Sequence, residues 1–253
     1  MTVIPKRMQQ NFARAAASYD QHARMQFQQA YRMAQLALSL LPEHATILDV
    51  GCGTGQFASV SKHSRPGWHI VGADMVLPMC QQAQERCAVV QANALQLPLA
   101  ESSVDAVVSS FCMQWVNDKP GMLAEMRRVL KPGGLAIVIT LGHQTLRELR
   151  EMCDTSKVAL GMLTMPTFNA YRLMAAESGM SPQVIQHRLE VEYYPGVEAL
   201  LTSMRTIGAG NAQTNRVITP RQFARLIQQY EASYGDRRGI PATWEPILMV
   251  LRK

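Results

Sequence analysis

The sequence predicts an α/β fold, a doubly wound and mostly parallel sheet of seven strands. Three observations predict it. Strand-like and helix-like segments alternate between residues 46 and 141, the strand-like runs are apolar rather than alternating, and a glycine-rich turn joins the first of them to a helix. Strands covered by helices on both faces read as near-continuous apolar runs. Alternation of β with α implies parallel pairing through crossover helices.

The elements follow in order. Residues 5–41 read as helical, with Phe12, Ala16, Tyr19 and Ala23, then Met33, Leu36, Leu40 and Leu41, at three-to-four spacing until Pro42 stops the pattern. "TILDV" (46–50) is a strand, followed by a helix from about Thr54 to His63. "HIVGAD" (69–74) is a second strand, followed by a helix from about Leu77 to Arg86. "AVVQAN" (88–93) and "SVDAVVSS" (103–110) are the third and fourth strands. "PGMLAEMRRVL" (120–130) has helical spacing, "KPGG" (131–134) stops it in a turn, and "LAIVITL" (135–141) is the fifth strand. Helices then occupy 145–163 and 169–180, "RLEVEYYP" (188–195) is a strand, helices recur at 197–206 and 220–234, and "WEPILMVLRK" (244–253) is the last strand. The pieces at about 196–238 read as a helical insertion before that strand, long enough for a lid. The expected organisation is one domain over 1–253, with an N-terminal helical cover (1–45), a cofactor-binding half (46–142) and a substrate-side half (143–253).

Composition narrows the function. With 253 residues, 47% hydrophobic and 17% charged, the chain suits a packed domain. Its five cysteines show no C-x-x-C pair, so neither a metal site nor a disulfide framework is expected. The N-terminus lacks the apolar core of a signal peptide, and the longest apolar run, 135–141, is too short to span a bilayer, so a soluble cytoplasmic protein is expected. The net charge of +6 lies on the flanks: five basic residues against two acidic in 1–46, seven of each in 47–142, thirteen against ten in 143–253. No basic run exceeds a pair, which argues against a nucleic-acid arm but permits attraction to an acidic partner.

"ILDVGCGTGQFA" (47–58) is a strand, a glycine turn and a helix start, the form of a nucleotide-type site. The glycines stand at 51, 53 and 55, the third dinucleotide position is Gln56, and no P-loop string occurs. Asp49 at the mouth would repel a pyrophosphate and suits a ligand carrying cations, such as an amino-acid ammonium beside a sulfonium. S-adenosylmethionine is such a ligand. Asp74, ending the second strand 19 residues after Gly55, can accept from ribose hydroxyls, and Asn93 after the third strand can pair with an adenine edge.

These residues carry a resemblance. "ILDVGCGTGQFA", Asp74, "NALQLPL", "SVDAVVSSFCMQW" and "RRVLKPGG" together resemble the class I S-adenosylmethionine-dependent methyltransferases, over residues 46–142. The resemblance implies a Rossmann-like sheet and S-adenosylmethionine held by Asp49, Gly51, Cys52, Gly53, Gly55, Asp74, Met75, Asn93, Ala94, Leu95 and Phe111. The family usually has Asp where Asn93 stands.

On the flanks, "FARAAASYDQHARMQ" (12–26), "SFCMQWVND" (110–118), "GHQTLRELR" (142–150) and "SMRTIGAGN" (203–211) look like the malonyl-acyl-carrier-protein O-methyltransferases of biotin synthesis. That family usually has Pro where His143 stands and Lys where Arg205 stands. The resemblance implies methyl esterification of a malonyl thioester on an acyl carrier protein, with no nucleic-acid or membrane partner. Tyr19 and Gln114 are the catalytic candidates, and His22, Arg147, Arg150 and Arg205 the substrate-binding ones. Each has a plainer reading. Tyr19 fits the packed face of its helix, and Arg147 and Arg150, beside Glu148 and Glu151, fit a solvated, salt-bridged face. A carboxylate acceptor is ionised at pH 7 and needs no base. The Asn/Asp-Pro-Pro-Tyr segment of many amine methylases is absent. A free-acid O-methylase, a quinone-precursor C-methylase and a cofactor-binding protein without transferase activity are the alternatives.

Overall fold

The computed structural model describes residues 5–210 and 218–253. The chain opens with α1 (Lys6–Ala15), a 3-10 turn at Ala16–Ser18, α2 (Tyr19–His22) and α3 (Arg24–Leu40). Then come β1 (Thr46–Val50), α4 (Gln56–Ser61), β2 (His69–Asp74), α5 (Leu77–Ala83), β3 (Ala88–Gln91) and β4 (Val104–Ser110). A 3-10 turn at Met113–Trp115 leads to α6 (Lys119–Val129) and β5 (Leu130–Leu141). The remainder is α7 (Arg147–Ser156), α8 (Phe168–Glu177), β6 (Ser181–His187), β7 (Glu190–Tyr194), α9 (Val197–Thr206), α10 (Pro220–Tyr234), β8 (Ile240–Trp244) and β9 (Pro246–Arg252).

The main sheet has seven strands in the order β3-β2-β1-β4-β5-β9-β6, as expected for the doubly wound class. β1 to β5 pair in parallel, and β9 runs antiparallel between β5 and β6. The apolar runs have a structural cause. Ile137 and Ile139 of β5 pack with Met33 and Ala37 of α3 and Leu149 of α7, while Ala136 and Val138 face the opposite core with Met122 and Met126 of α6 and Tyr171 of α8. Each such fully buried aliphatic side chain contributes about 1.5–3 kcal/mol. The helices carry their own start signals: Asp118 caps α6 by accepting from the Gly121 amide at 2.8 Å, with proline in the first turn. Strand order reverses between the parallel neighbours β1 and β4, β1 leading towards β2 on one side and β4 towards β5 on the other, so the loops after them bound a crevice at their carboxyl edge.

Four expectations are corrected. The helical stretch 5–41 breaks at Ala16–Ser18 and again at Ala23 (φ −82°, ψ 48°), and between the breaks Asp20 accepts hydrogen bonds from Thr54 and Gln56 at the glycine turn. Lys131–Gly134 is no separate turn. It is a bulge inside β5, since Val104 pairs with Leu130 and Ala106 with Leu135, and Gly133 supplies the φ of 79°. The strand at 188–195 belongs to a separate two-stranded ribbon, β7 with β8. The sheet's edge strand is β6, hidden in the sequence because an edge strand is largely exposed and this one carries Pro182 at a register shift. The helix expected to reach residue 163 ends at Ser156, and Lys157 follows at φ 57°. Residues 211–217, within the expected insertion, lie outside the described residues.

Candidate active site

The crevice opens into a cavity of about 440 Å³. A smaller one, about 40 Å³, adjoins it through the shared residues Tyr19, Gly51 and Gly53 and reaches Asp49 and Cys52.

The glycine turn builds one wall. Gly51 has φ 73°, and a side chain there would meet the Cys112 Cβ and Sγ at 2.4 Å. Gly53 has φ 55° with open space in front of it. The first three amides of this turn are committed to the protein. Gly51 N and Cys52 N donate to the Ala73 carbonyl at 2.7 and 3.2 Å, and Gly53 N donates to Asp74 Oδ2 at 2.9 Å. They form no cradle for an anion.

The carboxylates point the same way. Asp49 is buried, and its carboxylate receives no hydrogen bond from the described residues. Burial first, and the Asp74 charge second, push it up to about 7. Burial also raises Asp74, against the amides of Val76, Gly53 and Met75 that hold it down. A buried Asp49 and a half-buried Asp74 beside this turn suit a ligand with positive charge and hydroxyl donors, as S-adenosylmethionine has.

Most of the expected cofactor residues come together. Gly51, Gly53, Asp74, Met75, Ala94 and Phe111 line the larger cavity, and Asp49 and Cys52 the smaller. Three do not. Gly55 (φ 81°) starts α4 and lies against Ala83. Asn93 turns its Oδ1 to the Leu95 amide at 2.8 Å, and Leu95 packs into the core. Both miss the cavity because the chain after β3 folds back on itself in the Asn93–Gln96 bridge, leaving Ala92, Ala94 and Leu97 to line it. The Cys52 and Cys112 thiols are raised by burial first, Cys112 to about 12, and so stay protonated.

On the acceptor side, Tyr19 lines both cavities, and burial, then the charges of Asp74 and Asp20, raise its phenol. Gln114 is buried on the larger cavity, and its Oε1 accepts from Thr140 Oγ1 at 3.1 Å. Arg150 lines the same cavity. Its Nη2 donates to the Thr145 carbonyl at 3.0 Å, and its Nε is buried without a partner. Arg205, exposed, lines the cavity from the end of α9. Two expected substrate residues lie elsewhere. His22 is exposed and outside the cavity, because α2 ends there and turns into α3. Arg147 is half exposed and paired with Glu148 at 3.3 Å, the salt-bridged reading.

The sequence reading missed Asp20, which joins the tyrosine-bearing α2 to the glycine turn, and the apolar wall 159–165 with Met204 and Phe223. Two bulky cavity residues hold left-handed backbone, Phe111 at φ 52° and Leu146 at φ 56°. Such strain costs about 1–3 kcal/mol each and collects where a surrounding structure enforces a functional shape. The enforcement at Leu146 is visible: its amide donates to the Thr243 carbonyl at 2.6 Å, and the buried Glu148 accepts from the Thr243 amide at 3.1 Å.

Among the described residues, no group of three or more His, Cys, Asp or Glu is placed to hold a metal ion, and no helix is long and apolar enough to cross a membrane.

Comparison with known proteins adds to this geometry. The family model described as "Methyltransferase domain" matches residues 48–138. The malonyl-[acyl-carrier protein] O-methyltransferase of Xylella fastidiosa (strain M23) is 32% identical, over 93% of this chain and 83% of that protein. The biotin biosynthesis bifunctional protein BioHC of Saccharophagus degradans is 30% identical, over 94% of this chain and 45% of that longer protein. Among solved structures, a methyltransferase (BH2331) from Bacillus halodurans C-125 superposes with a TM-score of 0.63 at 17% identity, over 88% of this chain and 98% of that one, a likeness of fold.

Proposed function

The chain belongs to the malonyl-[acyl-carrier protein] O-methyltransferase family, and from that premise we propose that it methylates the free carboxyl of a malonyl thioester on an acyl carrier protein, an early step of biotin synthesis in the cytoplasm. It is an S-adenosylmethionine-dependent methyltransferase. One observation carries the reading: the Asp49 and Asp74 carboxylates flank the glycine turn on adjoining cavities, and Arg150 lines the larger of them, so one site offers groups for a cation and for an anion.

S-adenosylmethionine would supply, when bound, a sulfonium methyl group whose carbon a carboxylate oxygen can attack, the ester C–O bond forming as the C–S bond breaks and the neutral thioether leaves. Asp49 and Asp74 would hold its charged and hydroxyl groups, the backbone of Gly51 and Gly53 would lie against it, and Met75, Ala94 and Phe111 would give its base an apolar wall. The acceptor needs alignment and dryness rather than a base. Tyr19, with its phenol raised, stays a hydroxyl and donates to the acceptor carboxylate. Gln114 has its Oε1 committed to Thr140, so its amide N–H groups are the ones turned to use. Arg150 balances the acceptor's charge, and Arg205 meets the thioester arm or its phosphate at the mouth. The described part of the cover, from α1 to α3, together with α9 and α10 as a lid, would exclude water from the cavity. The net basic flanks favour an acidic carrier.

The test is transfer from a methyl-labelled donor to malonyl-carrier protein and to malonyl-coenzyme A, side by side. A base-labile label on the acyl group of the carrier thioester is expected. A base-stable product, or no transfer to either thioester while a free acid is methylated, overturns the proposal.

A further inference from the structure

Within the cover, one side chain bonds α2 to the glycine turn. Asp20 Oδ1 accepts from Thr54 Oγ1 at 2.6 Å and from Gln56 Nε2 at 3.0 Å. Asp20 Oδ2 accepts from Arg86 Nη2 at 2.6 Å, and Arg86 Nη1 donates to the Thr54 carbonyl at 2.8 Å. Three separate segments therefore meet on one carboxylate: α2, the exit of the glycine turn, and the loop after α5. Thr54 and Gln56 are buried. Burial pushes the Asp20 carboxyl up, but the bonds from Thr54, Arg86 and Gln56 and the Arg86 charge outweigh it and hold the group below its ordinary value.

The helix it anchors cannot hold itself. α2 has four residues, no side-chain cap, and non-helical backbone at Ser18 (ψ 3°) and Ala23 (ψ 48°). So short a helix is unstable without tertiary contacts. Its first residue is Tyr19, which lines both cavities. The Asp20–Arg86 pair is partly exposed on both sides (38% and 30%), so the ion pair alone is weak. The two buried donors at the other oxygen fix the geometry.

We propose that Asp20 is a positioning residue, a latch that ties the N-terminal cover to the glycine turn and so presents Tyr19 to the cavity. The latch makes cover and turn one body; without it the segment from Ala16 to Ala23 swings free of the site while the sheet stays folded. The effect on turnover rests on the role proposed for Tyr19. The effect on the cover does not.

The experiment uses the full chain with Asp20→Asn, Arg86→Gln and the double variant. Limited trypsin digestion without added ligand reads cleavage after the exposed Arg14 and Arg24 of the cover against the exposed Arg172 of α8. Cover cleavage is expected to rise about tenfold in each single variant with Arg172 cleavage unchanged, as local opening requires, and the double variant should be no worse than the singles. Turnover in the labelled assay should fall about tenfold while calorimetric affinity for S-adenosylhomocysteine changes less than about threefold. Wild-type cleavage in both single variants overturns the latch, and so does Arg172 cleavage rising in step with the cover, which marks general loosening. If the wild type shows no transfer to the thioester, the function reading fails and the digestion still decides the latch.

Discussion

The two halves of the cavity are built differently. The glycine-turn half, the one proposed for the cofactor, is polar and local: Asp49, Gly51, Gly53 and Asp74 come from two adjacent βα units, and the amides of Gly51, Cys52 and Gly53 bond to Ala73 and Asp74. The acceptor half is apolar and assembled from distant pieces, with Leu146, the 159–165 stretch, Met204, Phe223 and Trp244 meeting only in the folded chain. A generic ligand is held by a turn a short sequence can encode. A particular acceptor is held by surfaces that only tertiary structure creates.

The contrast predicts that damage stays in its own half. Gly51→Ala has the largest expected effect. The new Cβ would overlap Cys112 in left-handed backbone, costing about 2–5 kcal/mol of stability by overpacking and conformational strain together. Thermal unfolding should show a clear fall, with cofactor binding lost. Asp74→Ala comes next. It removes the acceptor for Gly53 N and Val76 N, and calorimetry should show cofactor affinity weaker by about 1–3 kcal/mol, with the thioester KM unchanged. Unchanged affinity would take Asp74 out of the site.

The third effect is a pH dependence. Asp49 has a folded value of about 7, above its unfolded one, so the folded chain binds the extra proton between these values. Its contribution to stability is present at low pH and is lost as pH rises through about 7. A cationic ligand prefers the ionised form, so cofactor affinity should rise with pH, be about tenfold weaker at pH 6 than at its plateau above 7, and lose this slope in Asp49→Asn. The smallest effects fall on the arginines. Arg150→Met should raise the thioester KM roughly fivefold, about 1 kcal/mol, with cofactor affinity intact. Arg147→Ala should change neither by more than about 0.5 kcal/mol. An Arg150 variant that lost cofactor binding would break the division between the halves.

The same division explains what could be read in the sequence. The strand–turn–helix unit, and the positions of Asp49, Asp74 and Gln114 at the strand ends around the cavities, were legible because glycine spacing and strand ends are local signals. Asp20 was not, since its partners Thr54 and Gln56 lie 34 and 36 residues away and no periodicity links them. Asn93 follows β3 as expected, but its Oδ1 accepts from the Leu95 amide two residues on and it does not line the cavity, which position along the chain does not reveal. β6 was hidden because an edge strand needs apolar residues on fewer sides.

β9 sits between β5 and β6, and its residues 246–252 pair with 135–141 on one side and 181–187 on the other. On a ribosome this order has a consequence. The parallel block β1 to β5 can form early, yet β6 has no neighbour to bond until 246–252 has emerged, and the apolar edge of β5 stands open meanwhile. Such long-range closure is slow and leaves an unpaired strand available to other chains. Chaperone demand during synthesis, and failure when the last strand is clipped, follow from where that strand sits.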